Sequence, residues 1–273
     1  MGTQASFIQT PPGLDNQFES DWLLQAWLDA ELPEALLHAE RPLLKEIGAR
    51  AGGEWYALQQ ADRLNEPRLT QWSPWGERID RIELTPLWLK AKDWAAEYGL
   101  VAAGYDKDLA EYARTIQFAR AWLFIPSTDF YGCPLAMTDG AARVLHDAGN
   151  RALAERALPH LLARSGDAFW TSGQWMTETI GGSDVSRSQT VARRDDHGQW
   201  RLHGRKWFTS AATSEMALTL ARPEGNPGGS RGLALFYVEP HDADGRLQQI
   251  EIQRLKDKLG TRKLPTAELW LDG

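Results

Sequence analysis

The hydrophobic period of this chain changes once, near Gly166, and that break constrains the fold more than any other feature. Before it, apolar residues recur at helical spacing. After it, β-branched and aromatic residues alternate with polar ones, and turn clusters return about every ten residues. A helical run followed by a strand run belongs to the α+β class, because each half buries its apolar faces within itself. The expectation is an N-terminal all-helical domain over residues 1–165, followed by an antiparallel β-barrel or sandwich domain over 166–273. At 273 residues there is length enough for both cores.

In the first half, Leu109, Tyr112, Ala113, Ile116, Ala119 and Leu123 share one helix face, while Glu111, Arg114, Gln117 and Arg120 share the other. That spacing predicts a helix over 109–123. Noisier patterns predict helices over 20–40, 86–98 and 138–163, the last with Thr138-Asp139 as N-cap and Pro134 upstream. Pro67, Pro74 and Gly76 mark 60–83 as a loop. In the second half, strands over 189–193 and 200–209 flank Asp195-Asp196-His197-Gly198 as a hairpin. Further strands are predicted over 216–221, 232–238, 247–252 and 267–271.

Several function classes fall on composition and motif. No apolar run goes beyond about seven residues, Gly232 to Val238 being an example, so nothing approaches the roughly 20 that a membrane span needs. A net charge of −7 gives no polybasic surface for a phosphate backbone. One cysteine, Cys133, makes no internal disulfide, and the N-terminus lacks the character of a signal segment, so a cytoplasmic location is expected. Met1-Gly2-Thr3-Gln4-Ala5-Ser6 fits a loose acylation pattern but has no second membrane signal beside it. No two glycines flank a single residue, so the G-x-G-x-x-G fingerprint is absent, and so is the P-loop. The six histidines are scattered, and no metal site is expected. Thirteen tryptophans exceed ordinary usage; such rings pack cores and also flank planar ligands.

Two segments carry chemistry. In Met176-Thr177-Glu178-Thr179-Ile180-Gly181-Gly182-Ser183-Asp184-Val185, adjacent glycines let backbone N–H groups approach an anion, and Thr177 and Ser183 add orientable donors. Taken alone, it is equally a glycine turn with Asp184 as a local cap. Lys206-Trp207-Phe208-Thr209-Ser210-Ala211 sets two aromatics beside two hydroxyls, which ordinary barrel packing also explains.

Together, the two segments resemble the flavin-contacting motifs of the acyl-CoA dehydrogenase family. There a Met/Leu-Thr-Glu stretch ends in Gly-Ser-Asp, and a later strand carries a Trp-Phe/Ile-Thr run. A third block agrees: Lys258-Leu259-Gly260-Thr261-Arg262, then Thr266-Ala267-Glu268-Leu269-Trp270-Leu271-Asp272-Gly273, is similar to the close of that family's β-domain. Gly132-Cys133-Pro134-Leu135-Ala136-Met137-Thr138 and the Gly-Gly form of the first motif look most like the adaptive-response AidB branch. The likeness is weakest before about residue 85.

The resemblance implies an N-terminal helical domain, a middle β-domain and a C-terminal four-helix domain, with FAD between the last two. Only the first two are expected in this chain. It implies a cofactor site made of Met176, Thr177, Gly182, Ser183, Trp207, Phe208, Thr209 and Ser210. Thr177 would bond the pyrimidine edge, Ser183 would reach the pyrophosphate, Trp207 would cover the ring, and Thr209 would donate toward N5 with Ser210 beside it. The implied reaction is α,β-dehydrogenation of an acyl-CoA thioester with hydride passing to N5. Its carboxylate base lies in the C-terminal domain, so no catalytic residue is expected here. The expected partners are acyl-CoA and a C-terminal domain or partner subunit, in a homo- or hetero-oligomer, with nucleic acid contacted only through that further domain. An AidB-like flavoprotein with vestigial dehydrogenase activity in DNA protection is one alternative, and a cofactor-free module that keeps only the fold is another.

Overall fold

The computed structural model describes residues 9–273, so the Met1–Ser6 pattern lies outside the described residues. The first half forms helices α1 (Gln17–Ser20), α2 (Trp22–Glu31), α3 (Glu34–Gly52), α4 (Glu54–Asp62), α5 (Pro86–Glu97), α6 (Ala113–Phe124), α7 (Gly132–Asp147) and α8 (Arg151–Leu161). Several starts have a local cause: side-chain oxygens of Asn16, Asp21, Thr85 and Asn150 accept the first free N–H groups of α1, α2, α5 and α8. The apolar faces meet around Phe18, Leu44, Ile47, Trp55, Ile116 and Phe124, all fully buried. Trp55 stacks on Trp94 at 5.2 Å and meets Phe124 edge-on at 5.1 Å, so part of the tryptophan excess is core. No described helix is long and apolar enough to cross a membrane.

Four expectations for the first half need correction. The helix predicted over 109–123 begins at Ala113. Before it, Lys107–Tyr112 forms a tight 3-10 segment in which Ala110 turns to φ 46°, although Leu109 keeps its place in the core. The stretch 20–40 is two helices, broken where Pro33 supplies no N–H and caps α3. The stretch 138–163 is two helices, since α7 begins earlier, at Gly132, and ends at Asp147, and α8 starts anew behind the Asn150 cap. Pro134 sits in the first turn of α7, where a missing N–H costs nothing, and Thr138 is an interior residue whose hydroxyl donates to the Pro134 carbonyl at 2.7 Å. The fourth correction concerns 60–83, where α4 continues to Asp62 and an antiparallel hairpin follows, β1 (Arg68–Trp72) and β2 (Arg78–Glu83). Its prolines lie just before β1 and in the turn, and its charge-rich strands show no clean alternation.

The second half is a seven-stranded sheet of β3 (Ser172–Trp175), β4 (Val191–Arg194), β5 (Trp200–Ser210), β6 (Met216–Pro223), β7 (Ala234–Val238), β8 (Ile250–Leu255) and β9 (Thr266–Asp272). The order is β3-β6-β4-β5-β9-β8, with β7 on the other edge of β6. The hairpin around Asp195–Gly198 forms as expected. The sheet is mostly antiparallel but mixed, because β6 runs parallel to both β3 and β4. Parallel neighbours need a crossover, and the β4–β5 hairpin supplies it between β3 and β6. Trp175, Ala217, Ile252, Ala267, Leu269 and Leu271 make the inner core, joined by Leu69 and Ile82 from the β1–β2 hairpin. Asp80 Oδ2 accepts the Ile252 N–H at 2.9 Å and Gln71 Nε2 donates to the Ile252 carbonyl at 2.8 Å, so this hairpin clasps β8 and holds the sheet against the helices.

Candidate functional site

Beyond β3 the chain runs on through Met176 and Thr177, and the Trp207 N–H donates to the Thr177 carbonyl at 2.9 Å. That bond sets the two motif segments side by side. Glu178 and Gly181 then exchange two backbone hydrogen bonds of 3.2 Å, closing a tight turn. A Cβ on Gly181 would stand 2.4 Å from the Asp184 carbonyl oxygen, so the turn closes only with glycine there. Gly182 and Ser183 are exposed on its rim. Asp184 accepts from the N–H and hydroxyl of Ser186, which makes it the local cap of this turn.

Glu178 points inward. Its Oε1 accepts from Lys206 Nζ at 2.9 Å and the Thr190 hydroxyl at 2.6 Å, and its Oε2 accepts from the Gln189 N–H at 2.6 Å. Lys206 has no exposed surface and also donates to the Leu220 carbonyl at 2.7 Å. Burial by itself raises the Glu178 carboxyl, but Lys206 and the hydrogen bonds outweigh it and hold the group below the usual carboxylate range. Burial lowers Lys206 against the pull of Glu178. A carboxylate so fully engaged is a clamp between the two motifs. Sequence reasoning gave neither residue a role. The clue was Lys206 itself, a charge directly before two aromatics, Trp207 and Phe208.

Trp207 and Phe208 sit in a β-bulge, since Lys206 pairs with Leu269 and Thr209 with Ala267, which sets two residues of β5 against the single Glu268 of β9. A bulge re-aims side chains. Phe208 is 44% exposed and Trp207 half-buried. Lys256 Nζ stands 3.1 Å from the centre of the Trp207 ring, held by Glu268 at 2.7 Å, and so takes one face of the indole. Thr209 is fully buried, with its hydroxyl donating to the Ala267 carbonyl. Ser210 Oγ is half-buried, 3.2 Å from Thr266 Oγ1. Met176 packs against the cluster of Met216 and Leu218.

The structure therefore joins Thr177, Trp207 and Phe208, puts Gly182 and Ser183 on the rim, and turns Met176 and Thr209 toward the interior. A half-open aromatic surface beside a glycine turn and hydroxyl donors suits, in kind, a planar cofactor bearing phosphate. A ring stacking on Trp207 must use the face opposite Lys256 or displace that ammonium. A cavity of about 570 Å³ lies elsewhere, between the β1–β2 hairpin and the segment 241–252, lined by Arg78, Asp80, His241 and Arg246 among others. None of the eight expected site residues lines it.

Residues 9–168 match the family described as adaptive response protein AidB N-terminal domain, and residues 173–273 match the acyl-CoA dehydrogenase middle domain. Over 98% of its length the chain is 42% identical to acyl-CoA dehydrogenase family member 11 of Caenorhabditis elegans, of which it covers 45%. Over 83% of its length it is 31% identical to the putative acyl-CoA dehydrogenase AidB of Escherichia coli K12, of which it covers 42%. It thus spans less than half the length of these relatives. Among solved structures, the apo form of Bd2924 superposes with a TM-score of 0.94 at 47% identity, covering 98% of this chain and 54% of that one. The Caenorhabditis elegans protein ACDH-11, solved in complex with C11-CoA, gives 0.94 at 41% identity, covering 100% of this chain and 48% of that one.

Proposed function

This chain belongs to the acyl-CoA dehydrogenase family and carries its AidB-type N-terminal domain; from that premise we propose that it forms the helical and middle β parts, divided near residue 165, of an FAD-dependent oxidoreductase that dehydrogenates an acyl-CoA thioester between its α and β carbons. The observation that carries this reading is the hydrogen bond from the Trp207 N–H to the Thr177 carbonyl, which turns two distant motifs into one surface. That a relative was solved with C11-CoA supports the substrate class.

Bound flavin would supply the two-electron acceptor for hydride. The residues of this chain hold and tune it. Thr177 and the backbone beside it would bond the pyrimidine edge, Gly182 and Ser183 would offer N–H and hydroxyl donors to the pyrophosphate, and Trp207 with Phe208 would shield the ring from water. The Ser210 hydroxyl would stand at the ring edge where negative charge collects on reduction, a fixed donor there favouring the reduced state, whereas Thr209 is buried and gives its proton to the Ala267 carbonyl. Glu178 is committed to Lys206, Thr190 and Gln189 and is not free to take the α proton; the family resemblance implies that this carboxylate base, with the rest of the cleft, belongs to a further helical domain.

The test is anaerobic titration of the full-length, FAD-loaded protein with acyl-CoA substrates, followed by bleaching of the flavin absorbance. Substrate-dependent bleaching is expected, and Ser210→Ala should slow it by about tenfold while changing the affinity for oxidised FAD little. Thr177→Val should instead weaken FAD retention. The AidB-type match over 9–168 favours a second reading, a flavoprotein with vestigial dehydrogenase activity acting in DNA protection. Retained FAD that no acyl-CoA bleaches, together with DNA binding by the full-length protein, would select it.

A further inference from the structure

An ammonium and two hydroxyls form a line that ends on β5. Lys258, in the loop between β8 and β9, donates from Nζ to the Leu264 carbonyl at 2.8 Å and to Thr266 Oγ1 at 2.9 Å. Thr266 Oγ1 lies 3.2 Å from Ser210 Oγ, its partner in the β5–β9 register. An ammonium has protons to give and no lone pair to receive one, so Thr266 accepts from Lys258 and keeps its own proton to donate. Two acceptors are in reach: Ser210 Oγ, and the Leu264 carbonyl at 3.4 Å. The carbonyl is the more distant and already takes the closer bond from Lys258. With Thr266 giving its proton to the nearer acceptor, Ser210, the Ser210 proton would be directed away from the strand pair. A bond given by a cation polarises the hydroxyls that follow it. Thr209, one residue earlier, differs in that its proton goes to the Ala267 carbonyl.

We propose that Lys258 is a positioning residue which, acting through Thr266, makes Ser210 the outward proton donor of this site, with the electron-accepting edge of the flavin as its acceptor. The proposal rests on the cofactor reading above. A donor aimed at a ring that gains negative charge binds the reduced form more tightly than the oxidised one. Burial pushes the Lys258 ammonium down to about 8; Cys133 of α7 pulls it up and Arg262 of its own loop pushes it down. Glu66, Lys256 and Asp257 line the cavity of about 390 Å³ beside Thr266. Above that pH a neutral amine can accept as well as donate, and the direction of the line is no longer set.

The experiment takes the full-length protein with FAD and obtains, from the midpoint potential of the bound flavin, the ratio of its affinities for reduced and oxidised cofactor. Ser210→Ala lowers this ratio about tenfold, near 30 mV for a two-electron couple. Lys258→Met lowers it comparably, Lys258→Arg restores most of it, and Lys258→Met adds nothing in a Ser210→Ala background. The wild-type ratio falls as pH rises through about 8, and that of Lys258→Met does not. Equal losses from Lys258→Met with and without Ser210 would mean that the charge acts directly through space, and would overturn the proposal. A wild-type protein that holds no FAD sinks the cofactor reading instead. The hydroxyl line is then decided in flavin-free protein by NMR titration of the side-chain carbon resonances of isotope-labelled, chemically unmodified Lys258. Thr266→Val lowers its midpoint by removing the oxygen that accepts from the ammonium, and Ser210→Ala lowers it less; a midpoint that neither variant moves overturns the line.

Discussion

Lys206 has no exposed surface, and four polar neighbours follow from its charge: Glu178 answers it, and Thr190, Gln189 and the Leu220 carbonyl complete the hydrogen bonds of the pair. Removing one partner of a buried pair strands the other, so Lys206→Met should cost about 3–5 kcal/mol in urea unfolding. Glu178→Gln in that background should cost much less than it does alone, a coupling of about 0.5–3 kcal/mol. Because the folded Glu178 carboxyl lies below its ordinary 4.5, this stabilisation is present above pH 4.5 and is lost as pH falls through the folded value. Lys258 gives a pH dependence of the same sign in a higher window. Its ammonium falls from 10.5 to about 8 on folding, so between those values the unfolded chain binds more protons than the native one. Stability of the wild type relative to Lys258→Met should therefore rise with pH across that window and be flat below it, as measured by denaturant midpoints at fixed temperature.

At the scale of elements, the site is a turn and a bulge facing each other. The turn after β3 closes only because Gly181 leaves room for the Asp184 carbonyl, so Gly181→Ala must push that backbone outward. We expect faster proteolysis within 179–187 and at least tenfold weaker FAD retention, with the β5–β9 ladder intact by hydrogen exchange; unchanged retention would detach the turn from cofactor binding. The bulge on β5 turns Phe208 to solvent while Thr209 stays inside, although the two are adjacent in sequence. A regular strand would also place neighbours on opposite faces, but with the extra residue unpaired, Trp207 and Thr209 no longer obey that alternation. The β1–β2 hairpin acts on the same scale: Asp80 and Gln71 fasten it to β8, two strands from the bulge, and so brace the sheet that carries the site.

Across the whole molecule, the helical half leaves an apolar groove on α2 and α6, lined by Leu23, Leu24, Trp27, Phe118, Ala119 and Trp122. Phe118 is 61% exposed, Trp122 60% and Leu23 59%, a contiguous patch of the kind that drives association. The 273-residue chain by itself should self-associate at high concentration in light scattering, and Phe118→Lys with Leu23→Lys should shift it toward monomer. A clean monomer for the wild type would show that the patch is tolerated. The fold likewise accounts for four of the thirteen tryptophans as core, since Trp55, Trp88, Trp94 and Trp175 are buried, and Trp207 is the indole of the motif surface.

Sequence alone determined the α+β division, the helix over 86–98, the hairpin at Asp195–Gly198 and the residues of the two motifs, because hydrophobic period, turn chemistry and short motif spacing are local properties of a chain. It could not reveal the β1–β2 hairpin, whose half-exposed, charged strands acquire their apolar partners only from a sheet some 170 residues later. Nor could it give the parallel pairings of β6, which depend on where β3 and β4 come to lie. The same holds within the site. The family motif suggested that Thr209 and Ser210 sit together at a ring edge, yet the tertiary structure sends the Thr209 proton to Ala267 and connects Ser210, through Thr266, to Lys258. Hydrogen-bond direction is settled by which distant acceptors a fold brings within about 3 Å, and no local pattern of residues encodes that.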